Sequence, residues 1–220
     1  MPGPDAACSA YLVESGDHHL LLDIGTGSAG PLQRFATVEQ LDTIVVSHAH
    51  SDHCGDLDHV GYLLERAGAP PVRVVGASDL RPYVWENPGV FSAMHASAEP
   101  FRVGPMSVRL AAVDHQECWA TRVDDRLCYT ADTAPCAALD ELAAGCEVLL
   151  AEASGSDVDG PLPRHLTAGD AARLALRCGA RLLVLTHLRP WLDHGALLAE
   201  AAEIAPCPVV LASPGLQVAL

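Results

Sequence analysis

The segment Ser47-His48-Ala49-His50-Ser51-Asp52-His53 places three imidazoles and a carboxylate within six residues. Imidazole and carboxylate are the usual ligands of Zn²⁺, with iron or manganese as substitutes, so this clustering points to a bound metal. The segment directly follows Leu41–Ser47 (LDTIVVS), whose β-branched run reads as a buried strand. A turn at a strand end can aim several side chains at one point, whereas a helix would scatter them round its circumference. The competing reading is a solvated histidine-rich turn.

Elements able to position such a site run the length of the chain. Ala10–Val13 and His19–Asp23 read as strands joined by a polar turn, with His18 and His19 taken as turn residues. Gly55–Ala67 carries apolar residues at helical spacing, at Leu57, Val60, Leu63 and Leu64. Arg73–Val75 is a short strand. Ser78–His95 is expected to be helical in pieces broken near Asn87-Pro88-Gly89. From Phe101 to Ala131 the pattern is one of hairpins, with Asp124-Asp125 at a tight turn. Thereafter helices at 135–144, 168–177 and 192–204 alternate with strands at 147–152, 181–186 and 208–212. Hairpins followed by βαβα predict an α/β (α+β) fold in which two mixed β-sheets are stacked and flanked by helices, an αββα four-layer sandwich.

Half of the 220 residues are apolar, enough for an ordinary globular core, and no repeat or linker divides them, so residues 1–220 read as a single domain. All thirteen basic residues are arginine. A formal net charge of −15 opposes long nucleic acid, whose binding depends on neutralising phosphates. Two divalent ions would bring about four positive charges to one spot, where a small anionic substrate would still be welcome. The eight cysteines include no CxxC pair and read as reduced thiols. No secretory leader and no stretch of eighteen apolar residues is visible, which predicts a cytoplasmic protein without a membrane partner. A homodimer stays open.

HAHSDH resembles the HxHxDH signature of the metallo-β-lactamase superfamily, and further motifs of that family follow in order. Asp23 in LLDIGTG matches its structural aspartate, His115 ends AAVDH, Asp132 lies in YTADT, and His187 ends LLVLTH. The resemblance implies one metal held by His48, His50 and His115, a second by Asp52, His53 and His187, and Asp132 bridging both. It also implies zinc as the first choice, with manganese or iron as substitutes, and a bridging hydroxide as nucleophile. Within the family the chain is most similar to the ribonuclease Z-like branch, which includes small bacterial cyclic-nucleotide phosphodiesterases. PGPDAACSAYLVE, LLAEAS with Glu152, and RHLTAGDAARLA with His165 carry that likeness. It implies catalytic roles for Asp52, Glu152 and His165, the histidine near the phosphate and the glutamate orienting it. The alternative reading is Thr167 as a helix N-cap with His165 a loop residue.

Three departures stand out. The chain starts just after the family's usual opening strand with its Gly-Ser or Gly-Cys-Ser-Gly motif, so either the true start lies upstream or an edge strand is missing. Gln116–Arg122 replaces the branch's aromatic-Gly pair and its arginine context, leaving the shape beside His115 open. Ala131 stands where relatives have glycine. His59 and His194 read as surface or packing residues, and His95 as a candidate for the mouth of the site. The leading function is a dinuclear phosphodiesterase acting on a small or cyclic phosphodiester such as a cyclic nucleotide. The alternative is an acyl hydrolase of thioesters, lactones or lactams, and a third class is a non-catalytic metal-binding relic, expected to have lost a ligand. Only the residues 116–131 separate His115 from Asp132, too few for an RNA-gripping arm beside the hairpin, so transfer RNA maturation is not expected.

Overall fold

The computed structural model describes residues 3–80 and 82–220. Their contacts divide the chain into two compact units, the first built from residues up to Ser97 together with Phe101–Ser107, the second from Ala98–Pro100 and Val108–Leu220.

The first unit contains β1 (Tyr11–Ser15), β2 (His18–Leu22), α1 (Ala29–Leu32), β3 (Thr43–Val46), α2 (Ser51–Cys54), α3 (Leu57–Ala67), β4 (Val72–Gly76), α4 (Pro82–Glu86), β5 (Phe91–His95) and β6 (Phe101–Val103). Its mixed sheet runs β1-β2-β3-β4-β5, with β1 antiparallel to β2 and the remaining neighbours parallel. All four residues of β3 are buried, as expected of a β-branched strand with parallel partners on both sides. Helix α3 turns Leu57, Val60 and Leu64 inward and stops at Gly68, whose φ of +63° suits the left-handed cap. A core of Leu21, Ile44, Val46, Leu57, Val74 and Phe91 results.

Two expectations for this unit need correcting. Residues 78–95 are not helical throughout: α4 is short, and Phe91–His95 pairs in parallel with β4. Alanine and methionine give FSAMH no β-preference of its own, and the open edge of β4 decides its state. His18 and His19 begin β2 instead of forming the turn, and His19 is buried.

The second unit contains β7 (Met106–Ala112, whose first two residues fall in the first unit), β8 (Trp119–Val123), β9 (Leu127–Tyr129), α5 (Ala137–Ala143), β10 (Val148–Glu152), α6 (Ala168–Cys178), β11 (Leu182–Thr186), α7 (His194–Ile204) and β12 (Val209–Leu211). Its strands follow the order β12-β11-β10-β9-β8-β7 and are again mixed, parallel from β12 to β9 and antiparallel from β9 to β7. All five residues of β10 are buried between parallel neighbours. Leu150 is level with Tyr129, and Glu152 with Thr186, so β9, β10 and β11 present their carboxyl ends along one edge. In α6, Ala171, Ala172, Leu174, Ala175 and Cys178 are buried, and a capping box of Thr167 and Asp170 starts the helix. The cap role of Thr167 is therefore real, and His165 lies two residues upstream of it.

Candidate metal centre

In the first unit the histidine segment is not a simple turn. His50 is the N-cap of the one-turn helix α2, which carries Asp52 and His53. Asp23, just past β2, adopts a left-handed φ of +60°, a conformation aspartate tolerates better than most residues. Its Oδ1 accepts from the Ser47 backbone N–H at 2.7 Å, and its Oδ2 accepts from the Ser47 hydroxyl at 3.0 Å. The same Oδ2 lies 2.8 Å from His53 Nδ1.

These bonds decide where each ring carries its lone pair. An ionised Asp23 can only accept, so His53 Nδ1 is the protonated nitrogen and Nε2 is left with the lone pair. Ser47 spends its one proton on Asp23, so its oxygen accepts from His48 Nδ1 at 3.0 Å, and His48 Nε2 becomes the donor atom available to a metal. His48 Nε2 lies 2.9 Å from His50 Nδ1, and His53 Nε2 lies 3.8 Å from the Asp52 carboxylate. Ring and carboxylate atoms this close suit ligands converging on a cation.

The second unit uses the same device through different residues. Glu152 closes β10 and is fully buried. Its Oε1 accepts from the Thr133 backbone N–H at 2.6 Å, and its Oε2 accepts from the Ser154 hydroxyl at 2.6 Å. His165 Nδ1 lies 3.0 Å from Oε2, so it is the protonated nitrogen and Nε2 points away from the carboxylate. Ser154, its proton spent on Glu152, accepts from His187 Nδ1 at 2.9 Å, leaving His187 Nε2 as a donor atom 3.4 Å from Asp132 Oδ2. His115 Nδ1 donates to the Arg164 carbonyl at 3.0 Å, which again puts the ring lone pair on Nε2. Asp132, Glu152, His165 and His187 each offer a ligand-type atom within 4.8 Å of one another. Both Glu152 oxygens already accept hydrogen bonds, so Glu152 serves better as the hub that orients Ser154 and His165 than as a metal ligand.

Burial alone would lower the basicity of His165, but its hydrogen bond to Glu152 and the charges of Glu152 and Asp132 outweigh burial and raise its pKa. Backbone strain collects at the same edge: Ala131 and His187 both have φ of +53°, and Arg164 has +59°. Glycine would hold the Ala131 conformation without steric strain, which gives the Gly-to-Ala departure a physical meaning that sequence could not supply.

Several residues outside the seven-member series do structural work. Ser47 and Ser154 lock imidazole tautomers, and the only signal for them was a hydroxyl beside a ligand-like motif. Arg122 is 1% exposed, donating to the carbonyls of Asp124 and Ala143. It stabilises the β8 turn and the end of α5, a packing role. His95 stacks on Trp85 with ring centres 4.4 Å apart. His59 is exposed, and His194 Nε2 bonds the Arg189 carbonyl at 2.9 Å.

Residues 18–188 match the family described as the beta-lactamase superfamily domain. The chain belongs to that superfamily. An uncharacterized protein of Mycobacterium leprae is 34% identical over 94% of this chain and 80% of its own length. A ribonuclease Z of Mycobacterium avium is 30% identical, over 89% of this chain and 84% of its own. The crystal structure of the metallo-β-lactamase fold protein YhfI from Bacillus subtilis superimposes with a TM-score of 0.91 at 26% identity, covering 98% of this chain and 92% of that one. The two mixed sheets are therefore those of the metallo-β-lactamase fold, and the chain is a metal-dependent hydrolase of this superfamily with His and Asp clusters able to bind metal. No described helix is long and apolar enough to cross a membrane.

Proposed function

We propose that this chain is a dinuclear phosphodiesterase acting on a small or cyclic phosphodiester, with His48, His50, Asp52, His53, His115, Asp132 and His187 as its metal ligands. The donor set fits: four of the five imidazoles have Nδ1 committed to a protein acceptor and Nε2 left for a metal, the arrangement typical of metal-binding histidines. Two divalent ions, zinc first and manganese or iron next, would supply an activated water and neutralise charge on phosphoryl oxygens.

The observation that carries the phosphodiester reading is His165 held by the buried Glu152 at 3.0 Å. Oriented this way, Nε2 can donate to a phosphoryl or departing oxygen, and the carboxylate behind it compensates the imidazolium charge. A ribose hydroxyl leaves poorly unless it is protonated, so such a donor matters most for nucleotide-like substrates. The relative named ribonuclease Z is consistent with phosphodiester chemistry, while the net charge of −15 argues for a small substrate over long RNA.

The experiment is metal analysis of protein purified without chelator, followed by turnover of a panel containing cyclic nucleotides, a bis-aryl phosphodiester, thioesters and lactones. About two metals per chain and preferential cleavage of the phosphodiesters are expected. Turnover of thioesters or lactones with none of the phosphodiesters would replace this reading with an acyl hydrolase.

A further inference from the structure

His165 reaches the site at the end of a loop. The chain leaves β10 at Glu152, runs out through residues 155–164 and returns at His165 to start α6. Backbone bonds close the neck of this loop: the Ser154 N–H donates to the Leu166 carbonyl at 3.0 Å, and the Ala168 N–H to the Gly155 carbonyl at 2.8 Å. Beside His165, Arg164 holds a left-handed φ of +59°, which is unfavourable for a residue with a Cβ. Such strain persists only where the surroundings fix the chain on both sides. On the carboxyl side His165 is held by Glu152, and the Arg164 carbonyl itself accepts from His115.

On the amino side the hold comes from another helix. Glu200 is half-buried on α7. Its Oε1 accepts from the Asp157 N–H at 3.1 Å and from the Gly169 N–H at 2.7 Å, and its Oε2 accepts from the Ser156 hydroxyl. One oxygen thus bridges the outgoing limb of the loop and the start of α6. Asp157 tightens the same neck: its Oδ1 accepts from the Thr167 hydroxyl at 2.5 Å, and a Cβ on residue 169 would lie 2.2 Å from its Oδ2, so glycine there admits it. Leu197 and Ala201 already bury α7 in the core that holds Ala171 and Leu174 of α6. The three donors of Glu200 therefore serve the loop more than the helix packing.

We propose that Glu200 is a positioning residue for the reaction, clamping the loop so that His165 stays where it can donate to the departing oxygen. This rests on the phosphodiesterase reading and adds to it a residue that acts without touching substrate. With the clamp gone the strain at Arg164 can relax, and His165, its neighbour, shifts first. A misplacement of about 1 Å at a reacting group can cost about 10²-fold. His165 keeps its own bond to Glu152, so the expected loss is about tenfold, in kcat and not in KM.

The test joins proton NMR of the zinc-loaded protein to a double-mutant cycle. The His165 Nδ1 proton, shielded by Glu152, should give a downfield ring N–H resonance, assigned by its absence in His165→Ala. Glu200→Ala should speed its exchange with water until the signal is lost. Glu200→Gln, which keeps an oxygen to accept from both backbone N–H groups, should retain the signal and recover most of the rate. On a cyclic nucleotide at saturating metal, Glu200→Ala should lose about tenfold alone and nothing more in the His165→Ala background, whereas a merely structural role would multiply the two losses. Glu203→Ala, which removes the same charge from an exposed position of α7, should change neither readout. Ser156→Ala removes the loop's side of the contact, should move both readouts in the same direction, and decides the matter if Glu200→Ala does not fold. The clamp is overturned if the resonance persists in Glu200→Ala and Ser156→Ala, or if the losses multiply. Loss of the resonance in these variants, with no phosphodiester cleaved by the parent protein, would instead overturn the phosphodiesterase reading and leave the clamp standing.

Discussion

The two units reach the same end by different routes. In the first, His48, His50, Asp52 and His53 come from six consecutive residues, and one carboxylate, Asp23, orders His53 directly and His48 through Ser47. In the second, Asp132, Glu152, His165 and His187 come from three strand ends and a loop, and Glu152 orders His165 directly and His187 through Ser154. Each arrangement is a buried carboxylate, a serine relay and imidazoles whose Nδ1 faces that carboxylate or serine. One is written locally in the sequence, and the other exists only because β9, β10 and β11 are in parallel register. Strain follows the same division, with Asp23 alone in the first case and Ala131, Arg164 and His187 in the second.

The largest expected effect comes from removing a ligand on either side. Asp132→Ala and His50→Ala should each abolish hydrolysis and lower metal content, while circular dichroism and the thermal transition stay near those of the parent, because the two apolar cores do not include these side chains. Unchanged turnover with either substitution would remove that residue from the ligand set.

Next come the serine relays, which test whether the two carboxylate hubs are equivalent. Ser47→Ala and Ser154→Ala each free one imidazole to choose the other tautomer, and loss of such an outer contact costs about 10–100-fold in metal affinity or activity. Competition with a chelator should register both. Ser154→Ala should additionally reduce turnover at saturating metal, since Ser154 shares Glu152 with the proposed proton donor His165, whereas Ser47 shares Asp23 with the proposed metal ligand His53.

How much of this was legible follows from the same contrast. The strand β3 and the HAHSDH segment could be read directly, because β-branched burial and ligand clustering are local signals. Glu152, His165 and His187 were found only through the order of family motifs, since no local spacing relates residues that meet by strand register. Three things stayed hidden for physical reasons. Strand β5 is imposed by the edge of β4 on a sequence with helical leanings. The tautomer-locking serines look like any other hydroxyl after a strand. The strain at Ala131 lies in φ, which an alanine in a sequence does not announce.

That strain gives a smaller prediction. Ala131→Gly should stabilise the protein by about 0.5–1 kcal/mol, the left-handed penalty less the extra freedom glycine has when unfolded. A rise in the thermal midpoint would register it, and a fall would mean that the alanine methyl packs better than its backbone suffers.

The smallest effect lies on the surface of the second unit, where Asp157 meets Arg173 at 2.7 Å. The hydrogen bond from Arg173 holds the Asp157 carboxyl below its usual range, against a weaker effect of burial, and Thr167 adds to the lowering. A carboxyl depressed in the folded state stabilises the fold above its unfolded pKa, and that contribution fades as pH falls through the folded value. The pair is partly exposed, so its worth is about 0.5 kcal/mol or less. Arg173→Ala should therefore lower stability slightly near neutral pH and converge with the parent in acid, measured by urea unfolding at several pH values.

The most direct test of the account compares metal content with leaving-group dependence in His165→Ala. In the proposed function His165 is a proton donor steadied by Glu152, outside the ligand set, so the variant should keep both metals. Its turnover of a cyclic nucleotide should fall by about 10²–10⁴-fold, the usual worth of a positioned acid, while an activated aryl phosphodiester is nearly unaffected. Loss of metal from His165→Ala, or an equal loss of rate on both substrates, would contradict it.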